Sequence, residues 1–124
     1  MSESPVTRSA EEAMEAIRSG QRIFVHGSAC TPHILLEALA ARASELEHVR
    51  WCAISTQGDM PLVRPEVRAS FPIDALFVST NIRQALNQGH GSYIPIFLSE
   101  IGQLFRSGRL PLDHALIQVS PPDA

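Results

Sequence analysis

The run Arg22-Ile-Phe-Val-His26, followed by Gly27-Ser28-Ala29-Cys30 and then Thr31-Pro32-His33-Ile34-Leu35-Leu36, decides the fold class. Branched and aromatic residues at 23–25 favour extended backbone, and the glycine-led segment after them favours a turn. Thr31 suits a helix N-cap and Pro32 the first helical position. Leu35, Leu39, Ala43 and Leu46 recur at helical spacing, so this helix is expected to run to about Glu47. Strand, short turn and helix together form the building unit of an α/β protein.

The same alternation extends in both directions. Residues 1–8 read as a flexible lead-in. Ser9-Ala-Glu-Glu12 has the pattern of a capping box, with Glu12 placed to reach back to the Ser9 amide. Ala10, Ala13, Met14 and Ile17 follow at helical spacing, and Gly20 stops the helix. Downstream, Val49–Ser55 reads as a second strand. Residues 56–72 hold Gly58, Pro61, Pro65 and Pro72 and read mostly as loop. Ala75–Val78 is expected as a third strand, and Ile82, Ala85 and Leu86 as a short helix ended by Gly89. Tyr93–Leu98 follows as an edge strand, because Pro95 removes a ladder donor. Ser99 is expected to cap a helix carrying Ile101, Leu104 and Phe105 inward and closed by Gly108, and Ala115–Val119 to form the last strand. The expected fold is α/β, a mostly parallel sheet of about five strands with helices on both faces and Rossmann-type layering. Residues 9–124 form one domain in this reading.

Bulk properties narrow the function. A chain of 124 residues with 44% hydrophobic content builds one core. The net charge is −3 with no basic run, which argues against a nucleic-acid partner. Apolar runs such as Ile34-Leu35-Leu36 are far too short for a membrane span. No signal-peptide core appears near the N-terminus, so the cytoplasm is the expected location. Two cysteines, Cys30 and Cys52, make no disulfide framework, and the five histidines show no metal-ligand spacing, so no metal site is expected.

Ligands of parallel sheets gather beyond the carboxyl ends of the strands. The corresponding loops here are Gly27–Thr31, the stretch after Ser55, Ser79–Asn81 and Ser120–Asp123. The Gly27–Pro32 turn offers backbone amides to an anion, or is simply a strand-to-helix turn. Cys30 is either a nucleophile served by His26 or His33 or a small residue filling that turn, and Cys52 reads as core. Gly89-His90-Gly91-Ser92-Tyr93 either lets backbone approach a ligand or marks a helix stop and a strand start. Glu100 reads as a helix-terminal carboxylate, and Arg83 and Arg106 as solvated or domain-contact residues. Pro121-Pro122-Asp123 is a stiff exit from a strand.

Three segments carry a specific resemblance: Gly-His-Gly-Ser-Tyr-Ile-Pro-Ile-Phe-Leu-Ser-Glu at 89–100, Leu-Phe-Arg-Ser-Gly at 104–108 and Pro-Leu-Asp-His-Ala-Leu-Ile-Gln-Val-Ser-Pro-Pro-Asp at 111–123. They resemble the acetyl-CoA hydrolase/transferase family, which includes 4-hydroxybutyrate and acetate CoA-transferases. Val25–Pro32 and Leu36–Leu39 are similar to the family's first turn and helix, although Ser28 and Cys30 stand where the family is often richer in glycine. The resemblance implies a CoA-transferase-like fold and the N-terminal part of a larger two-domain enzyme whose chain runs on past Ser-Pro-Pro-Asp. It implies a catalytic glutamate in the missing C-terminal domain, so no catalytic residue is assigned here. That glutamate would attack an acyl-CoA thioester and pass through a mixed anhydride and a glutamyl thioester. Substrate-binding positions are expected at Gly27, Ser28, Gly89, His90, Gly91, Ser92, Tyr93, Pro122 and Asp123. No cofactor is expected beyond coenzyme A or acyl-CoA as substrate, with a small carboxylate as acceptor and a homodimer for the full enzyme. The alternative is a non-catalytic CoA-binding or assembly module.

Overall fold

A computed structural model describes residues 4–123. Residues 1–3 of the expected lead-in and Ala124 at the chain's end lie outside them. The first helix, α1 (Ala10–Met14), starts where expected, with Ser9 Oγ accepting the Glu12 amide at 3.1 Å. Strand β1 (Arg22–Val25) leads to helix α2 (His33–Ala40), and β2 (Arg50–Ala53) follows. The remaining elements are β3 (Ile73–Ala75), α3 (Thr80–Asn87), β4 (Gly91–Tyr93), α4 (Ile101–Arg106) and β5 (His114–Leu116). All strand pairs are parallel, in the order β4-β3-β2-β1-β5.

That order fixes the layers. From β1 to β4 the sheet grows in one direction, and right-handed crossovers keep α2 and α3 on one face. β5 returns to the other side of β1, which sends α4 to the opposite face. The packing agrees. Ile23, Val25, Trp51, Ala53, Ile73 and Ala75 join Leu36, Leu39, Ile82 and Ala85 in the main core. Phe24 points the other way and meets Phe105 of α4 edge-on, with ring centroids 5.7 Å apart.

Several element boundaries depart from the sequence reading. Thr31 does not cap α2; its hydroxyl donates instead to the Ser28 carbonyl at 2.7 Å, and Pro32 occupies the cap position. The helix ends at Ala40 rather than near Glu47, and a 3-10 turn covers Ala43–Glu45. There the Arg42 guanidinium turns to the Met14 and Ile17 carbonyls, covering acceptors at the end of the first helical segment. The second strand is shorter than Val49–Ser55. The third begins at Ile73 rather than Ala75, the fourth at Gly91 rather than Tyr93, and the fifth at His114 rather than Ala115. Ser99 is no cap, since a 3-10 turn over Leu98–Glu100 precedes α4. Residues 56–72 are irregular as expected but supply buried Met60, Leu62 and Phe71.

The shift of β3 has an electrostatic cause. Asp74 is 4% exposed, which local pattern disfavours inside a strand. Arg50 from β2 grips it through Nε at 2.8 Å and Nη2 at 2.5 Å, and Arg22 from β1 adds Nε at 3.2 Å. Burial pushes the Asp74 carboxyl up, but the hydrogen bonds and charges of the two arginines outweigh it and hold it below its ordinary value. Beside it, burial pushes the Cys52 thiol up to about 12. Cys52 is therefore a core residue, as its sequence position suggested.

Candidate functional site

At the carboxyl edge of the sheet, three of the four expected loops meet. Ser28 takes a left-handed conformation, φ 53°, and pairs with Thr56 as an isolated parallel bridge beyond the ends of β1 and β2. Its amide donates to the Ser55 carbonyl at 2.5 Å. Gly27 lies so close to that carbonyl that a Cβ would collide with it. Cys30 and Thr31 direct their amides back to the Gly27 and Ser28 carbonyls at 3.1 and 3.2 Å. Three amides of the turn are thus engaged internally. The turn acts mainly as a brace between the first two strand ends, and the Gln57 amide completes it by donating to Thr31 Oγ1 at 3.2 Å.

The third loop is tied in by Asn81. Its Oδ1 accepts the Ser79 hydroxyl at 2.6 Å and the Thr56 hydroxyl at 3.3 Å, while Nδ2 donates to the Gly58 carbonyl at 3.0 Å. Gly58 holds φ 78°, with the His33 ring stacked where a side chain would begin. These ties enclose an open cleft of about 480 Å³, lined by Ser55–Gly58, Phe77–Asn81 and Arg83. Hydroxyls, amides, the apolar Phe77 and Val78 and one cation line it, and among the described residues no carboxylate does. Glu37 and Asp59 are both held by Arg64, at 2.6 and 2.5 Å. The Arg64 hydrogen bond keeps the Glu37 carboxyl below its ordinary value.

The expected site residues divide between the two edges of the sheet. Gly27 and Ser28 brace the carboxyl-edge loops, and Tyr93 ends β4 at that same edge. Pro122 and Asp123 are exposed beyond β5. Gly89, His90, Gly91 and Ser92 lie at the amino edge, before or at the start of β4. Both glycines there have a backbone reason: Gly89 stops α3 with φ 85°, and a Cβ on Gly91 would strike the Ile73 backbone. Cys30 is partly exposed, but among the described residues no hydrogen bond joins it to His26 or His33, and the His26 ring accepts the Gln118 amide instead. Arg83 is exposed as expected but also lines the cleft. Arg106 folds back over Gly102 of its own helix.

Sequence reading overlooked Thr56, Gln57 and Asn81 as individuals. The only signal was their position just after a strand, where polar residues also serve plain turns. Among the described residues no group of three or more metal-ligating side chains occurs, and no helix is long and apolar enough to cross a membrane.

Comparison with known proteins gives a consistent assignment. Residues 3–124 match the model of the acetyl-CoA hydrolase/transferase N-terminal domain. The succinyl-CoA:acetate/propanoyl-CoA:succinate CoA transferase of Fasciola hepatica is 36% identical over 115 residues, covering 91% of this chain and 24% of the relative. The 4-hydroxybutyrate coenzyme A transferase of Clostridium kluyveri is 32% identical over 114 residues, covering 92% of this chain and 27% of the relative. The crystal structure of RipA from Yersinia pestis superposes with a TM-score of 0.79 at 26% identity, over 94% of this chain and 29% of that one. The chain spans about a quarter of the length of the curated relatives it matches.

Proposed function

The chain belongs to the acetyl-CoA hydrolase/transferase family, as an N-terminal domain of that family, and from this premise we propose that it forms one wall of an acyl-CoA:carboxylate CoA-transferase or acetyl-CoA hydrolase active site. The observation that carries the proposal is the composition of the carboxyl-edge cleft. It offers hydroxyl and amide groups from Thr56, Gln57, Ser79 and Asn81 and the positive charge of Arg83. Such groups suit the amides and phosphates of coenzyme A or the carboxylate of an acceptor.

The nucleophile of this chemistry is a carboxylate that attacks the thioester carbonyl. Among the described residues the cleft contains none, and Glu37 and Asp59 are tied to Arg64. In this proposal the glutamate comes from a second domain that closes over the wall. The exposed side chains of Tyr93, Phe97 and Leu98 suit a surface that packs against such a domain or against the second subunit of a homodimer. The same reading puts the protein in the cytoplasm.

The assignment of roles is tested by following free-thiol release from acetyl-CoA, with and without acetate or succinate. The 124-residue chain alone is expected to release none above buffer. Sustained release by the purified chain would place the nucleophile inside it and overturn the proposal.

A further inference from the structure

The turn Gly89-His90-Gly91-Ser92 plays no part in the carboxyl-edge cleft. It lies at the opposite edge of the sheet, where the amino ends of β2, β3 and β4 come together. The Ile73 amide donates to the His90 carbonyl at 3.1 Å, and the His90 amide donates to the Ala85 carbonyl at 3.0 Å. These bonds seat the turn against the start of β3. His48 and Arg50 arrive from the start of β2, and Arg68 from the 3-10 turn Arg68–Ser70. Together they line a second cleft of about 330 Å³.

Its charge is one-sided. The protein as a whole carries −3, yet this cleft gathers two arginines beside two histidines and the Ser92 hydroxyl, and among the described residues no carboxylate lines it. Asp74 lies beneath and engages Arg50 through Nε and Nη2, which leaves Nη1 without a partner among the described residues. That contact also fixes the guanidinium in place. Arg68 makes no ion pair among the described residues. One arginine anchored from below and a second, unpaired among the described residues, line the same cleft and offer donors to a tetrahedral dianion. Gly89 has open space around it, so a ligand can approach the backbone there.

We propose that this amino-edge cleft is a binding site for a phosphate group, separate from the acyl-CoA cleft on the other edge. Its ligand is inorganic phosphate or the terminal phosphate monoester of a larger molecule. Arg68, Arg50 Nη1 and the Ser92 hydroxyl donate to its oxygens.

The test is an amide and arginine side-chain NMR titration of the chain with inorganic phosphate and, separately, with adenosine 3′,5′-bisphosphate. Sodium chloride at matched ionic strength is the control. Saturable shifts at His48, Arg68 and Gly89–Ser92 are expected with either probe, weakened about tenfold or more in Arg68→Gln, whatever the bisphosphate does at the Arg83 cleft. Ser92→Ala, on an exposed side chain, gives a second variant independent of the arginines. Bisphosphate affinity equal to or below that of phosphate favours free phosphate as the ligand, and affinity raised well beyond the roughly twofold statistical gain of its two phosphates favours a monoester. Shifts that do not saturate, that chloride reproduces, or that persist unchanged in both variants overturn the proposal. Because the readout lies at the amino edge, its failure leaves the acyl-CoA reading untouched.

Discussion

Asn81 Nδ2 donates to the Gly58 carbonyl at 3.0 Å, joining the loop after β3 to the loop after β2. The same side chain accepts the Ser79 and Thr56 hydroxyls through Oδ1. One amide thus fixes both walls of the carboxyl-edge cleft, with donor and acceptor each matched. Asn81→Asp keeps the acceptor but sets a carboxylate against the Gly58 carbonyl. It is expected to weaken acetyl-CoA binding about tenfold or more while costing about 1–2 kcal/mol of stability. Calorimetric titration and urea unfolding measure the two effects.

Gly27 has no room for a side chain against the Ser55 carbonyl, and neither backbone can yield without moving a strand end. Gly27→Ala is expected to cost roughly 2–3 kcal/mol, an overpacking penalty read as a lower urea midpoint. Gly108→Ala has nothing within 4 Å but a φ of 75°, so it should cost only the left-handed backbone penalty of about 1 kcal/mol. Equal effects from the two would argue against the tight contact at Gly27.

Asp74 gives the fold a defined pH dependence. Its folded carboxyl is held below the ordinary value of 3.8. The stabilisation it gives is therefore complete above its unfolded-state value and is lost as pH falls through the folded one. Asp74→Asn leaves two arginines without their shared partner, though both reach partly into solvent. A loss on the order of 2–3 kcal/mol is expected at pH 7. The gap between variant and parent should narrow below about pH 4 in urea midpoints taken from pH 7 to pH 2.

The two thiols should differ in reactivity. Cys52 is fully buried, donates toward the Ile23 carbonyl at 3.4 Å and has its thiol pushed up to about 12. Cys30 is partly exposed in the braced turn. Iodoacetamide at pH 8 should modify Cys30 alone in the native protein and both residues in denaturant, as read by peptide mass spectrometry.

The legible parts of the fold were those written locally. Ser9 before Ala10–Met14, the glycine-led turn at Gly27 and the branched run Ile23–Val25 each specify their own conformation. The misplaced boundaries depended on distant partners. Asp74 enters β3 because arginines 24 and 52 residues away neutralise it, and no local pattern shows that. Gly91 belongs to β4 because the Ile73 backbone fills the place of its side chain. The carboxyl-edge loops followed from parallel topology, whereas Asn81 became visible only through its three bonds. Gly89–Ser92 was conspicuous by composition, but composition does not say which edge of the sheet a turn occupies.

The decisive measurement is an amide NMR titration of the chain with acetyl-CoA. A wall of an acyl-CoA site should show saturable shifts at Thr56–Gly58 and Ser79–Arg83, and these should weaken in Asn81→Asp. Shifts that never saturate, or that leave those two loops unmoved, would contradict the assignment of this cleft to acyl-CoA.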